Sequence, residues 1–268
     1  MSHVPAGGTT RNLVAAVAAM FLASAVGLSA QDRPRLDVIF VPTPMQVVER
    51  MLAIAEVKKG EFLIDLGSGD GRIPVTAAKK LGARGLGVDL DPDRIQEANE
   101  NVKKEGVGNM VEIRRQNLFE TDISKADVIS MYLLTELNLR LRPKLLDLRP
   151  GTRLVSHAFA MGDWIPDQHE TLPPRYDVYL WIVPAKVEGR WNVQRGEKQF
   201  TVDLKQMFQN FTGSAQVDGK TVPVRNGKLR GKEISFDVEV ENQSGTFRGE
   251  VDGDTIKGSG AWQAKRAG

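Results

Sequence analysis

The stretch Phe62-Leu-Ile-Asp-Leu-Gly-Ser-Gly-Asp-Gly-Arg-Ile73 joins an apolar strand pattern to a glycine-rich turn and then to the start of a helix. Gly67, Gly69 and Gly71 carry no Cβ, so a bound molecule can approach their backbone closely. A helix that begins near Arg72 points its free N–H groups toward the same place. The sequence therefore predicts a ligand site at this turn.

Two classes of nucleotide ligand compete for such a turn. A G-x-G-x-x-G turn places a dinucleotide pyrophosphate on the helix, whereas a G-x-G-x-G turn is typical of proteins that hold S-adenosylmethionine. Here the glycines stand at every second position, and Asp65 and Asp70 accompany them. Carboxylates repel a pyrophosphate but attract the cationic amino acid end of S-adenosylmethionine. Spacing and charge therefore favour S-adenosylmethionine as the cofactor.

Two later segments supply groups for the rest of this cofactor. Gly85-Leu-Gly-Val-Asp-Leu-Asp-Pro92 ends a predicted strand with Asp89, whose carboxylate can accept hydrogen bonds from both ribose hydroxyls. One strand later, Asn117 is placed to read the adenine amino edge, with Leu118 and Phe119 against the base. The three segments follow one another in the order that a βαβαβ unit imposes.

Short apolar runs alternate with amphipathic stretches from Val38 to about Val183, which predicts β-α-β units around a mainly parallel sheet. The predicted strands are Phe62–Leu66, Gly85–Asp89, Met110–Arg114, Asp127–Tyr132, Arg153–Ala158 and Val178–Val183, and the predicted helices are Met45–Ala55, Arg72–Leu81, Pro92–Glu105 and Glu136–Leu146. We expect a Rossmann-like α/β domain over residues 36–184.

After Pro184 the apolar residues occur at every second position, and pairs such as Asp218-Gly219 mark tight turns. This pattern predicts a small antiparallel all-β module of six to eight strands over residues 188–267. The expected fold class is therefore an α/β sheet domain followed by an all-β domain.

Composition excludes several kinds of chemistry. The 268 residues include no cysteine and three histidines, so neither thiol catalysis nor a cysteine-ligated metal is available, and we expect no metal site. Thirty-six basic residues against 34 acidic residues give a net charge of +2, which lacks the excess typical of nucleic-acid binders. We therefore expect no nucleic-acid partner.

The N-terminal part contains an uncharged run from Leu13 to Ala30, followed by Arg33 and Arg35. Its length and small-residue end fit a cleavable signal peptide, and the same length just suffices for an uncleaved membrane anchor. A third interpretation is a helix that docks on the protein's own core. We expect an exported or membrane-anchored protein, with the side of the membrane left open.

Residues 40–183 resemble a class I, seven-stranded S-adenosylmethionine-dependent methyltransferase. A narrower likeness is carried by Val41-Pro-Thr-Pro-Met-Gln-Val-Val48, Asp65-Leu-Gly-Ser-Gly-Asp-Gly-Arg72, Tyr132-Leu-Leu134 and Pro150-Gly-Thr-Arg-Leu-Val-Ser-His-Ala-Phe159 with Trp164. These segments resemble the membrane-anchored protein-lysine methyltransferases that modify the ATP synthase rotor subunit and the adenine nucleotide translocase. The β module after Pro184 departs from that family's usual plan.

The resemblance implies a strand order of 3-2-1-4-5-7-6 with an antiparallel last strand, and it implies that Thr43 lies over the cofactor as a lid. Together with the motifs, it yields a predicted cofactor-binding set of Thr43, Asp65, Gly67, Ser68, Gly69, Asp70, Gly71, Asp89, Leu90, Asn117 and Leu118.

Methyl transfer from a sulfonium is an in-line displacement that depends mainly on orientation and on exclusion of water. Tyr132, Glu136 and His157 are the candidate catalytic residues because they follow strand ends that face the ligand crevice. Their alternative roles are core packing, a solvated first helical turn and a structural histidine, respectively. The best-fitting acceptor is a protein lysine amine. The alternatives are a small or lipid-like acceptor with the β module as a lid, and a non-catalytic exported scaffold.

Overall fold

A computed structural model of the chain describes residues 40–240 and 243–267, so the N-terminal apolar run lies outside the described residues. Residues 40–182 contain four helices and seven strands. The helices are α1 (Met45–Ile54), α2 (Arg72–Thr76, continued by a π-helical turn Ala77–Leu81), α3 (Pro92–Lys104) and α4 (Thr135–Leu146). The strands are β1 (Phe62–Leu66), β2 (Arg84–Asp89), β3 (Val111–Arg115), β4 (Val128–Met131), β5 (Arg153–His157), β6 (Gln168–Leu172) and β7 (Tyr176–Ile182).

The seven strands form one sheet in the order β3-β2-β1-β4-β5-β7-β6. β7 runs antiparallel to both β5 and β6, and the other pairings are parallel. The order expected from the family resemblance is confirmed. Because β1, β2, β4 and β5 are parallel, their carboxyl ends meet at one edge of the sheet, and this edge carries the site described below.

The central strands owe their position to near-continuous apolar sequence. All four residues of β4 are buried, as are four of the five residues of β1, which fits strands covered on both faces. α1 covers one face with Val47, Val48 and Met51. α3 starts at Pro92, and the Asp91 carboxylate caps it by accepting from the Asp93 amide at 2.9 Å.

Residues 189–266 form a closed antiparallel barrel of eight strands. The strands are β8 (Gly189–Arg195), β9 (Lys198–Met207), β10 (Asn210–Val217), β11 (Lys220–Arg230), β12 (Glu233–Val240), β13 (Gln243–Asp252), β14 (Thr255–Gly258) and β15 (Trp262–Arg266). The expected antiparallel β module is confirmed, and closure removes the exposed strand edges that such a sheet would otherwise have.

Aromatic and aliphatic side chains fill the barrel. Phe236 stacks on Phe247 with ring centroids 5.1 Å apart, and Phe200 and Phe211 meet this pair edge-on. Trp191 is fully buried at the end of the barrel that adjoins the linker, where its indole N–H donates to the Val187 carbonyl at 2.8 Å. Alternate residues of each strand thus build an apolar core in place of a ligand cup.

The barrel packs on the sheet domain through the turn between β9 and β10. Phe208 stacks on Trp164 with centroids 5.7 Å apart, and the Gln209 side-chain amide donates to the Ile165 carbonyl at 2.6 Å. A backbone bond from Ala185 to Gly231 adds a second contact. Over residues 40–240 and 243–267, no helix is both long and apolar enough to cross a membrane.

Candidate active site

The glycine-rich turn after β1 is held in place by the carboxylate that ends β2. Gly67 and Gly71 adopt φ values of 79° and 73°, which strongly favour glycine. Asp89 accepts from the Gly69 amide at 2.9 Å and from the Asp91 amide at 3.0 Å. A carboxylate has about four acceptor positions, so Asp89 keeps capacity for two more donors. The cavity beside the turn is lined by Asp89.

Asp65 forms the acidic floor of this cavity. Only 2% of its surface is exposed, and the Ser130 hydroxyl donates to one carboxylate oxygen at 2.7 Å. Burial, opposed by the Ser130 bond and assisted by the charges of Asp89 and Asp70, raises the pKa of Asp65 to about 7. A buried carboxylate of this kind is stabilised by a bound cation.

Ser68 adds a polar group with no protein partner. Its hydroxyl oxygen is buried, lines the cavity and makes no hydrogen bond to the part of the chain that the structure describes. Buried polar groups are nearly always hydrogen-bonded. An orphaned hydroxyl beside an acidic floor therefore fits a polar ligand that fills the cavity.

Residues 40–43 form a strap across the opening. The Phe40 ring lies on Gly69, and the Arg94 guanidinium sits 4.7 Å from the ring centroid. Arg72 donates from one terminal nitrogen to the Thr43 carbonyl at 2.8 Å, while its Nε donates to Asp70 at 2.9 Å. This arginine thus ties the strap to the glycine-rich turn.

Thr43 also connects the strap to a cluster of rings on the far side of the opening. Its hydroxyl lies 3.2 Å from Nδ1 of His157, which is 2% exposed. The rings of Tyr132, Tyr176 and Phe159 surround this histidine: Tyr132 lies 4.0 Å from His157, Tyr176 lies 5.8 Å from His157, and Phe159 lies 6.0 Å from Tyr132. Burial lowers the pKa of His157 to about 4, against the opposing charge of Asp177. The histidine is therefore neutral at physiological pH.

The structure brings most of the predicted cofactor residues together. The cavity is lined by Thr43, Asp65, Gly67, Ser68, Asp70, Asp89, Leu90 and Leu118, and also by Tyr132 from the catalytic set. Three predicted residues do not line it. Gly69 and Gly71 shape the turn from behind, and the Asn117 side chain accepts from the Phe119 amide at 3.0 Å within its own loop.

Glu136 and His157 also lie off the cavity wall. Glu136 is exposed in the first turn of α4. His157 reaches the opening through Thr43 and Tyr132 instead. The roles of these residues stay predictions, and only His157 has contacts that connect it with the site.

Sequence reasoning missed Phe40, Arg94, Gln116 and Tyr176. Gln116 lines the cavity directly after β3, so the rule that strand ends face the crevice could have found it. Phe40 and Tyr176 carry no such signal, because they reach the site from segments far away along the chain.

Gly69→Ala tests the strap. A methyl group there would lie 2.2 Å from Cε2 of Phe40, and φ is 52°. The left-handed backbone costs about 1–2 kcal/mol for a residue with a Cβ, and the clash would also displace the strap. We expect about tenfold weaker cofactor binding by calorimetry. Gly60→Ala is the matched control, because Gly60 has φ of 82° with nothing near its missing Cβ. Equal affinity losses in both variants would contradict a role for the strap.

Residues 65–168 match the family described as the ANTKMT methyltransferase domain. A protein-lysine N-methyltransferase from Saccharolobus islandicus is 45% identical over 149 residues, which is 54% of this chain and 92% of that protein. The human lysine N-methyltransferase of the ATP synthase c-subunit is 29% identical over 48% of this chain and 54% of its own length. The residues of the family match lie within the sheet domain.

A solved structure gives a similar result. The crystal structure of an RNA methyltransferase from Salinibacter ruber with S-adenosyl-L-homocysteine is 49% identical, covers 55% of this chain and 96% of that chain, and superposes with a TM-score of 0.54. The cavity of this chain is lined by the carboxylates of Asp65 and Asp89 and by the Ser68 hydroxyl, and the predicted roles of these residues toward the cofactor remain predictions.

Proposed function

This chain belongs to the family of S-adenosylmethionine-dependent methyltransferases, and on that premise we propose that it methylates the side-chain amine of lysine in a protein acceptor. The observation that carries the proposal is the ring cluster around the neutral His157, which borders the cofactor cavity at Tyr132. The name of the Saccharolobus relative supports the same acceptor.

The bound cofactor supplies a methyl group on a positively charged sulfur. The chain's own residues must hold the acceptor amine in line with that group and keep water out. A free lysine amine has a pKa near 10.4, and removal from water lowers this value. The rings of Tyr132, Phe159 and Tyr176 supply apolar surroundings of this kind, and their faces also attract a cation before it loses its proton.

His157 is a poor candidate for taking up the amine proton, because its pKa of about 4 lies far below that of a lysine amine. Its contacts instead suit a positioning role. It holds the Tyr132 ring on one side and the Thr43 hydroxyl on the other. The proton then leaves to solvent before the amine reaches the methyl group.

The acceptor is tested by incubating the full chain with methyl-labelled S-adenosylmethionine and either protein or RNA extract. We expect label in protein, recovered as methyl-lysine after acid hydrolysis. RNA is the necessary comparison because of the name given to the Salinibacter relative. Label in RNA alone, or in small molecules alone, would overturn the lysine proposal.

The small-molecule alternative with the barrel as a lid has less support. The cofactor cavity is lined by residues between 40 and 137, and none of the described barrel residues contributes to it. Side chains also fill the barrel's interior. The barrel therefore has no contact with the cofactor cavity through which it could act as a lid.

We also propose the N-terminal run Leu13 to Ala30 as an export or anchoring segment, on its apolar sequence alone. Intact-mass measurement of the protein purified from its source tests this. Loss of about thirty residues would indicate a cleaved signal, and a full-length protein in the membrane fraction would indicate an anchor. A full-length protein found only in the soluble fraction would contradict both.

A further inference from the structure

Two of the chain's three tyrosines converge on the acceptor side of the site. Tyr132 directly follows β4 and lines the cofactor cavity. Tyr176 begins β7, the antiparallel strand, and therefore reaches the same edge of the sheet from the opposite chain direction. His157 contacts both rings, with centroids 4.0 Å and 5.8 Å away.

Neither phenol hydroxyl forms a hydrogen bond to another group within residues 40–240 and 243–267. Both side chains are half-buried. The His157 ring contacts both phenol rings, so the two tyrosines border the same histidine. The cluster therefore presents, beside one histidine, two phenol hydroxyls that are available to an incoming group.

The chemistry of a primary amine matches this pair. A neutral lysine amine has one lone pair and two N–H groups, and transfer requires the lone pair to face the methyl carbon. Orientation is fixed when each N–H finds its own acceptor, and each phenol oxygen can accept one such bond. The His157 ring lies between the two tyrosines, and its contact with the Thr43 hydroxyl at 3.2 Å keeps it from rotating.

We propose that Tyr132 and Tyr176 act as a pair of acceptors that orients the lysine amine, with Tyr176 as a catalytic residue. This inference rests on the lysine acceptor proposed above. The transfer forms one N–C bond and breaks one S–C bond, whose electron pair stays on sulfur. The methylated ammonium then releases a proton to water.

Tyr176→Phe keeps the ring and removes one acceptor. We expect kcat for an unmodified lysine peptide to fall about tenfold, while the Kd for S-adenosylmethionine stays unchanged because Tyr176 does not line the cofactor cavity. Tyr179→Phe is the matched control. Tyr179 lies on the same strand, packs against His169 and Trp181, and should show wild-type kcat.

A second substrate separates orientation from a structural role. A neutral dimethylated lysine has no N–H group, so it gains nothing from either acceptor. Tyr176→Phe should therefore slow methylation of the unmodified peptide much more than methylation of the dimethylated peptide. An equal loss on both peptides, or no loss on either, would overturn the pair while leaving lysine methylation by the wild type intact. A wild type that binds cofactor but labels no lysine would instead overturn the proposed function, and the pair with it.

Discussion

Replacing Asp89 by alanine should weaken binding of S-adenosylmethionine about a hundredfold. The carboxylate accepts from two backbone amides of the turn, at 2.9 Å and 3.0 Å, and lines the cavity with its remaining lone pairs. Hydrogen bonds to charged groups contribute about 1.5–3 kcal/mol each. Loss of two ribose bonds thus costs about 3 kcal/mol at the low end, which is a hundredfold in affinity.

Calorimetric titration of the full chain measures this change. Asp89→Asn is the informative companion, because its single carbonyl oxygen cannot serve both backbone amides and both ribose hydroxyls. We expect the affinity of Asp89→Asn for S-adenosylmethionine to lie between the affinities of the wild type and the alanine variant. Asp93→Asn serves as a control one turn away, on the first turn of α3 and outside the cavity lining. Wild-type affinity in Asp89→Ala would show that Asp89 does not hold the ribose.

Cofactor binding should also weaken about tenfold between pH 7.5 and pH 6. The pKa of Asp65 is raised to about 7 in the free protein, so at pH 6 most molecules carry a protonated Asp65. The cationic end of the cofactor favours the ionised form, and binding at pH 6 must therefore release a proton. Titrations in two buffers of different ionisation enthalpy would count that proton.

Ser130→Ala tests the cause of this pH dependence. The Ser130 hydroxyl donates to Asp65 at 2.7 Å and lowers its pKa against the effect of burial. Without that bond the pKa of Asp65 should rise further, and the midpoint of the binding curve should move to higher pH. A midpoint that stays in place, or moves to lower pH, would show that another group titrates.

Ionisation of Asp65 favours cofactor binding but destabilises the folded chain. Because the pKa of Asp65 is higher in the folded chain than its ordinary 3.8, this group contributes full stability below pH 4 and loses it as pH rises through 7. The loss is on the order of 4 kcal/mol at pH 8. Asp65→Asn should therefore raise the thermal midpoint at pH 8 and have little effect at pH 4, while it weakens cofactor binding. A lower thermal midpoint at pH 8 would contradict the burial cost.

Local sequence was sufficient for the elements that build the cofactor site. β1 has the predicted bounds Phe62–Leu66, and the turn after it has the positive φ values that its glycines imply. Both follow from interactions within a few residues, namely apolar burial and backbone freedom. α3 likewise begins at the predicted Pro92, directly after the Asp91 side chain that caps it.

Two kinds of feature escaped prediction for physical reasons. β6 (Gln168–Leu172) is an edge strand with polar, largely exposed residues, so it has no hydrophobic alternation to reveal it. Tyr176 reaches the site because β7 lies beside β5 in the sheet. Phe40 reaches it because the strap brings its ring onto Gly69. Asn117 was placed correctly after β3, but its amide satisfies its own loop, a competition that spacing alone does not reveal.

The barrel closes on itself, because β8 pairs with β15 so that Trp191 stands opposite Arg266. Its first and last strands are therefore neighbours. Within the described residues, the chain passes from the sheet domain into the barrel through the short segment 183–188. The barrel is thus attached at one point of the chain, and no strand of the seven-stranded sheet is interrupted to accommodate it.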